Sequence, residues 1–520
     1  MSRLRWDPRW KACISALTTA PEPERVPHGL VDLLRNADQL RSPEAPTPGE
    51  AVALVEFLMA ICYAADSYPR TTGEWRKWVE EKAAEPLREA AEWLAAQPDD
   101  EWDLFHPVTP LGQNALLAPF LDAHGTGPAQ LVIERVGDYN QFFDHHHLVH
   151  AEPLPADAAF RAVLTQHVYG PGGRARISGK ATLGPTLTNL AVGRLGGRVR
   201  VIALGATLGE TLRLNLTPHP EEPAPGELNL SWTSGAHERR GFRTKPQGRE
   251  PVSPADLHSV LGRSILLRPT LDKDGREAVD RVLIGAGELV SLGLEHLQDA
   301  VLTKTMAGAE KPLWPSSARA VWRDAHALYA AVADPKPALD LYGRLAMLPS
   351  AQDIRLWAVG LVAKQTRVET WVSESFPLRP GRAGELWPTA KDGSDIAEYV
   401  AASLGKAAHT AWTIAYPNPK PADKAAQIAR FDARRDHYKA TAEPFQVLLG
   451  NVAEDLQPRT DAVQEYAETL AAKARDLLTR RLETLPRNAQ GYRVRAEALA
   501  RLDSELHGSK APKQLRGNGR

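Results

Sequence analysis

The stretch RTDAVQEYAETLAAKARDLLTRRLETLPRN, from Arg459 to Asn488, repeats apolar residues three and four positions apart and stops at Pro486. That spacing lines Val463, Tyr466, Leu470, Ala474 and Leu478 along one face, which predicts an amphipathic helix over 459–484. Working outward, the same texture predicts helices over 395–414, started by Ser394 and Asp395, over 421–453, and over 487–507. Breaks at YPNPKP, DLQPR and LPRN are short, and short links between long amphipathic helices favour an antiparallel four-helix bundle. Pro444 is expected to kink the second helix.

The rest of the chain reads differently. From about Leu30 to Ala96 the pattern is helical, and beyond Trp102 proline, glycine and short β-branched runs such as AQLVIERV and RVRVIAL indicate strands and structured loops. The fold class is α+β: a large mixed N-terminal domain over 1–380, with short strands and glycine-rich loops, a linker over 381–394, and the C-terminal four-helix bundle over 395–507. Residues 508–520 carry Lys510, Lys513, Arg516 and Arg520 without an acid, which predicts a basic disordered tail. No internal repeat or sustained heptad is present.

Composition narrows the function classes by exclusion. Sixty-three basic residues face 64 acidic ones in 520, so any attraction to polyanions depends on where the charges lie. Two cysteines, Cys13 and Cys62, lack the paired spacing of a zinc ribbon. Few thiols and the polar start MSRLRWDPRWK fit a cytoplasmic location without export. The apolar run AVALVEFLMAICYAA, Ala51 to Ala65, is shorter than the ~18 residues of a bilayer span and contains Glu56, so it reads as a buried helix and no membrane is involved. No P-loop, dinucleotide fingerprint or GxSxG elbow occurs, so no enzyme activity and no cofactor are indicated.

Charge is nevertheless uneven. Between Arg161 and Gly209 lie six arginines and Lys180, with no Asp or Glu. The run also contains HVYGPGGRARISGK, where Gly170, Gly172 and Gly173 offer backbone amides beside Arg174, Arg176 and Lys180. Bare amides flanked by cations suit a phosphate or a base edge, and a glycine-rich turn with solvated arginines is the alternative. In DIRLWAVGLVAKQTRVETWVSESF two β-like runs flank a tip of Lys364, Gln365 and Thr366. A carboxamide held on such a tip can enter a base stack while the lysine meets phosphate, although ordinary surface hairpins look the same. NQFFDHHHLVH, Asn140 to His150, holds Asp144, His145, His146, His147 and His150, which admits a metal-dependent hydrolase as the rival reading. Its Phe142 and Phe143 suit stacking on bases or anchoring in a core.

Several motifs occur together: DLFHPVTPLGQN (Asp103 to Asn114), NQFFDHHH, YGPGGR (Tyr169 to Arg174), ATLGETLRLNLTP (Ala206 to Pro218), LWPSSARAVWRDAHALY (Leu313 to Tyr329) and FDARRDHYKATAEPFQVLL (Phe431 to Leu449). In this order they resemble the large subunit of the type I-E CRISPR Cascade complex, the CasA family. The resemblance covers the chain from about Leu30 to the end of the bundle. It implies a non-catalytic subunit that reads a short protospacer-adjacent motif in duplex DNA through the minor groove, wedges the duplex open and helps recruit a helicase-nuclease. The partners it implies are the guide RNA ribonucleoprotein complex, target DNA and that helicase-nuclease.

Carried over, the glycine loop falls on Gly170, Gly172 and Gly173, with Gly173 the best base-edge contact. The wedge falls on Gln365 between Lys364 and Thr366, and the motif loop on Asn140 to Asp144 with Phe143. The lysine finger has no clean counterpart: positions near Ala300 and Val301 lack a lysine, and Lys304 is the nearby candidate. RWDPRWKACI replaces the family's apolar N-terminal motif, and the cysteine cluster of some relatives is absent.

Overall fold

The computed structural model describes residues 3–135, 152–174, 189–232, 248–293, 296–304, 310–317, 320–335, 340–364, 367–417 and 423–516, excluding the side chains of 42–44, 174, 302–304 and 310. The chain forms two compact units. One comprises Met1–Arg319, Lys336–Leu348 and Asp353–Ser375, the other Ala320–Pro335, Pro349–Gln352 and Phe376–Arg520.

The first unit opens with a three-stranded sheet that no sequence periodicity predicts. Strand β1 (Ile14–Thr18) lies between β2 (Arg25–His28) and β3 (Leu40–Glu44), antiparallel to both. Helix α1 (Leu30–Arg35) lies between the last two strands in sequence. The apolar run forms α2 (Pro48–Ala64), started by Pro48 and by the Thr47 hydroxyl, which accepts from the Glu50 amide at 3.3 Å. Nearly every side chain of α2 is buried, as an apolar sequence without a polar face requires. Both cysteines are buried free thiols, and burial pushes Cys62 up to about 12. Helices α3 (Thr72–Glu80) and α4 (Glu85–Ala95) complete the helical stretch, with Trp75, Leu87 and Leu94 inside.

Beyond Trp102 the strands are short. AQLVIERV is not one of them: it forms 3₁₀ turns over Pro128–Leu131 and Ile133–Arg135. Its backbone is held by a side chain instead, because Gln166 Nε2 donates to the Leu131 carbonyl at 2.9 Å. Strand β4 (Leu154–Pro155) leads into α5 (Ala156–Tyr169), and β5 (Gly173–Arg174) pairs antiparallel with β6 (Asn189–Leu190). RVRVIAL contributes β7 (Arg200–Leu204), followed by α6 (Leu208–Asn215) and α7 (Pro254–Ser259).

Strands β8 (Arg263–Leu271) and β9 (Glu277–Ala286) form a hairpin extended by β4, and β10 (Leu302–Lys304) pairs with β11 (Glu310–Pro312). The expected hairpin is β12 (Ile354–Lys364) with β13 (Arg367–Leu378), joined on its other side by β7. Among the described residues no helix is long and apolar enough to cross a membrane.

The second unit is helical, with corrected boundaries. Helix α8 (Ala325–Ala333) precedes α9 (Ala383–Ala415), which runs straight through the 381–394 segment read as a linker. Gly384, Pro388, Gly393 and Ser394 disfavour a helix locally, but packing overrides them. Leu386 and Ala390 are buried, and the Ser394 hydroxyl donates to the Arg323 carbonyl at 3.1 Å. Residues 320–335 belong here rather than with the N-terminal domain, because Trp322 packs at 5.1 Å against Phe445 and Tyr329 bonds the Pro377 carbonyl at 2.7 Å.

The second bundle helix is split into α10 (Lys424–Ala429) and α11 (Arg434–Ala453), the latter containing Pro444. Helices α12 (Arg459–Leu482) and α13 (Ala489–His507) follow, and Leu470, Ala474, Leu478, Ala498 and Leu502 are fully buried. The tail is likewise corrected over 508–516: Ala511 and Leu515 are buried, and Gln464 Nε2 of α12 donates to the Gln514 carbonyl at 3.1 Å. Two apolar side chains suffice to anchor an otherwise polar segment.

Candidate nucleic-acid interface

The glycine loop starts where α5 ends. The Gly170 amide donates to the Gln166 carbonyl at 3.1 Å and its own carbonyl accepts from Gly193 at 2.8 Å, so this buried glycine closes the helix and does not offer a free amide. Gly172 is half-buried and Gly173 exposed. Beneath them lies Arg263, at the start of β8, whose Nη2 donates to the Pro171 carbonyl at 3.0 Å and the Ala191 carbonyl at 2.7 Å. Burial lowers this guanidinium to about 10. One buried cation thus holds both arms of the loop by their carbonyl oxygens, while Gly173 pairs with Leu190 to close the stem. The Arg174 backbone belongs to this stem; Arg176 and Lys180 lie outside the described residues.

Four of the seven cations between 161 and 209 face inward, so the unevenness of the run is largely settled inside the protein. Arg161 binds Asp157 at 2.9 Å and Glu50 at 3.2 Å. Glu56, fully buried on α2, receives Arg194, Arg200 at 2.8 Å and His258 Nδ1 at 2.7 Å. Asp299 receives Arg198 at 2.5 Å and Arg200 at 2.9 Å. Burial opposes ionisation of Asp299, but the Arg198 and Arg200 charges outweigh it and hold the carboxyl at about 2. The same kind of guanidinium pairing, from Arg194 and Arg200, keeps Glu56 well below the usual carboxylate range against its burial. Burial pushes the His258 imidazole down, with Glu56 pulling the other way. Apart from Asp157, just outside the run, the acids sit far away in sequence, so the local charge count of the run could not reveal the pairing.

The hairpin meets the glycine loop through Trp371. Its indole stands edge-on to Tyr169 at 4.8 Å and 90°, and its Nε1 donates to Glu134 at 2.6 Å. On its other side the ring presses on α2 at Gly49, where a Cβ would stand 2.1 Å from the indole, so only glycine fits. One side chain therefore ties the middle of the hairpin to Tyr169, the residue before the glycine loop, and to Glu134. In the sequence Trp371 reads simply as a β-former, and the one signal that marks it is a large aromatic a few residues from a polar tip.

Lys364 and Arg367 are exposed at the ends of the two strands. Gln365 and Thr366 lie outside the described residues, as do Asn140, Phe143 and the whole cluster from Asp144 to His150. Among the described residues no group of three His, Cys, Asp or Glu could hold a metal ion. Lys304 ends β10 opposite Glu310, and Ala300 and Val301 are buried just before it.

The chain matches the family model described as CRISPR-associated protein Cse1 over residues 14–477. No curated protein matches it. Its fold is similar to Thermus thermophilus CasA (Cse1), with a TM-score of 0.73 at 20% identity over 96% of this chain and 99% of that one. Thermobifida fusca Cse1 gives 0.73 at 19% identity over 98% of both. A chain of a CRISPR RNA-guided surveillance complex gives 0.67 at 21% identity over 96% of this chain and 99% of that one. A likeness this even along the whole length accompanies the family match, and the chain belongs to the CRISPR-associated protein Cse1 family.

Proposed function

We propose that this chain is the large, non-catalytic subunit of a type I-E RNA-guided surveillance complex, acting in the cytoplasm. It inspects duplex DNA for a short motif from the minor groove and opens it for pairing with the guide. The observation that carries the reading is the Trp371 junction, which ties the hairpin to Tyr169, the residue before the glycine loop, and to Glu134. Family membership and the likeness to a surveillance-complex chain support the partners: the guide RNA ribonucleoprotein complex, target DNA and, once the target is paired, a helicase-nuclease.

In this reading Gly172 and Gly173 bring backbone to the base edges, and Gly170 fixes the loop's departure from α5. Minor-groove reading by backbone is coarse, which suits a permissive motif. Gln365, between Lys364 and Thr366, enters the stack at a cost of a few kcal/mol, and guide pairing then takes over sequence choice. Asn140 and Phe143 touch motif DNA, and Arg174, Arg176 and Lys180 meet the phosphates, with Lys304 on the second hairpin as the candidate lysine finger.

The test is Gln365→Ala assembled into the complex. Affinity for a motif-bearing duplex falls while a pre-opened bubble target binds nearly normally. Equal loss on both targets, or on neither, counts against the wedge.

A further inference from the structure

Trp314 is a large aromatic side chain turned out to water, 63% exposed. The backbone that carries it is firmly held. Leu313 donates to the Val301 carbonyl and accepts from the Val199 amide, both at 2.8 Å. Pro315 stands 2.6 Å from where a Cβ on Gly360 would be, so the segment lies directly on β12. Two residues further, the Ser317 hydroxyl donates to Glu369 of β13 at 3.2 Å. Thus the segment from Leu313 to Ser317 lies along the hairpin, and an indole is displayed from a fixed backbone rather than from a loose loop.

Its surroundings indicate the ligand. The hairpin ends in Lys364 and Arg367, both exposed and without an ion pair among the described residues. From Gly360 to Lys364 the strand rises about 13 Å, close to four base steps at about 3.4 Å each. A rigid, exposed aromatic a few nucleotides from two exposed cations is the arrangement that stacks bases of single-stranded nucleic acid while the charges meet its backbone. A protein partner would more often seat such a ring in an apolar surround, and the neighbouring hairpin end is polar and cationic.

We propose that Trp314 is a stacking platform for an unpaired base of a DNA strand freed from the duplex, a few nucleotides from the hairpin end. This rests on the nucleic-acid reading above and adds a ligand contact that the motif-reading segments do not include.

The test measures binding of the full chain to a fluorescein-labelled single-stranded oligothymidine and of the assembled complex to a bubble target. Trp314→Ala weakens single-strand affinity by about 5-fold or more, and Trp314→Phe restores most of it. The slope of affinity against salt is unchanged in both variants, because stacking releases no counterions. Bubble targets carrying 5-iododeoxyuridine crosslink to Trp314 at one or two positions only. Unchanged single-strand affinity in Trp314→Ala overturns the proposal. So does a defect seen only as failure to join the complex, which makes the ring a protein contact. Single-strand binding needs no duplex opening, so failure of the Gln365 wedge and failure of the Trp314 platform give separate results.

Discussion

Glu56 shows what one side chain can decide. Its carboxylate answers two guanidinium groups and an imidazole in the interior of the first unit. Glu56→Gln keeps the shape and removes the charge, leaving Arg194 without its carboxylate and Arg200 with Asp299 alone; a loss of about 3–5 kcal/mol is expected, read from denaturant midpoints at pH 7. The same cluster fixes an acid response. His258 titrates below its ordinary 6.5 in the folded chain, so between that value and its folded one the unfolded chain binds the extra proton, and stability falls as pH drops. Asp299, held at about 2 against an ordinary 3.8, adds a second loss between those values. Denaturation midpoints measured from pH 8 to pH 3 therefore decline from about 6.5 downward, and His258→Gln flattens the upper step. In the sequence a lone glutamate within an apolar run marked the place, but its partners stand 138 to 202 positions away, where no local pattern reaches.

At the scale of elements, legibility follows period and length. Helices α12 and α13 were readable because their apolar stripe persists over several turns, and the β12–β13 hairpin because its β-formers flank a polar tip. The β1–β3 sheet was not, since its strands are only four or five residues long and pair partly across an intervening helix. Helix α9 was misread at its start because glycine, proline and serine signal a break unless buried neighbours compensate them. The glycine loop was legible as a motif, yet its carbonyl clamp on Arg263 was not, since a strand arginine usually faces water. The tail supplies a test of packing against composition: deleting 508–520 lowers the melting temperature of the chain, and Leu515→Ala reproduces part of the loss. Leu515→Ala is expected to cost about 2–4 kcal/mol. A tail that only dangled would leave both unchanged.

For the molecule as a whole, the net charge of -1 conceals an internal settlement. Arg161, Arg194, Arg198 and Arg200 are committed to carboxylates of the same chain, so they release no counterions when a polyanion binds. Arg174→Ala should lower the log–log salt slope of DNA binding by about 0.7–0.9. Arg198→Lys should leave it unchanged wherever the protein still folds, as titration at several ionic strengths will show. Under the proposed function this economy is an advantage, because weak, short-lived attachment to any duplex would leave discrimination to the loop and the hairpin. The family and the helical half were within reach of sequence motifs, whereas the inward turn of the arginines needed three dimensions.

The two interred thiols have a practical corollary. Cys13 and Cys62 are both shielded from solvent and both poor nucleophiles at neutral pH. A cysteine placed at Lys364 would then be the one thiol a maleimide reaches in the folded chain, so a dye attached there tests whether a labelled duplex approaches the hairpin, with no background from native sites.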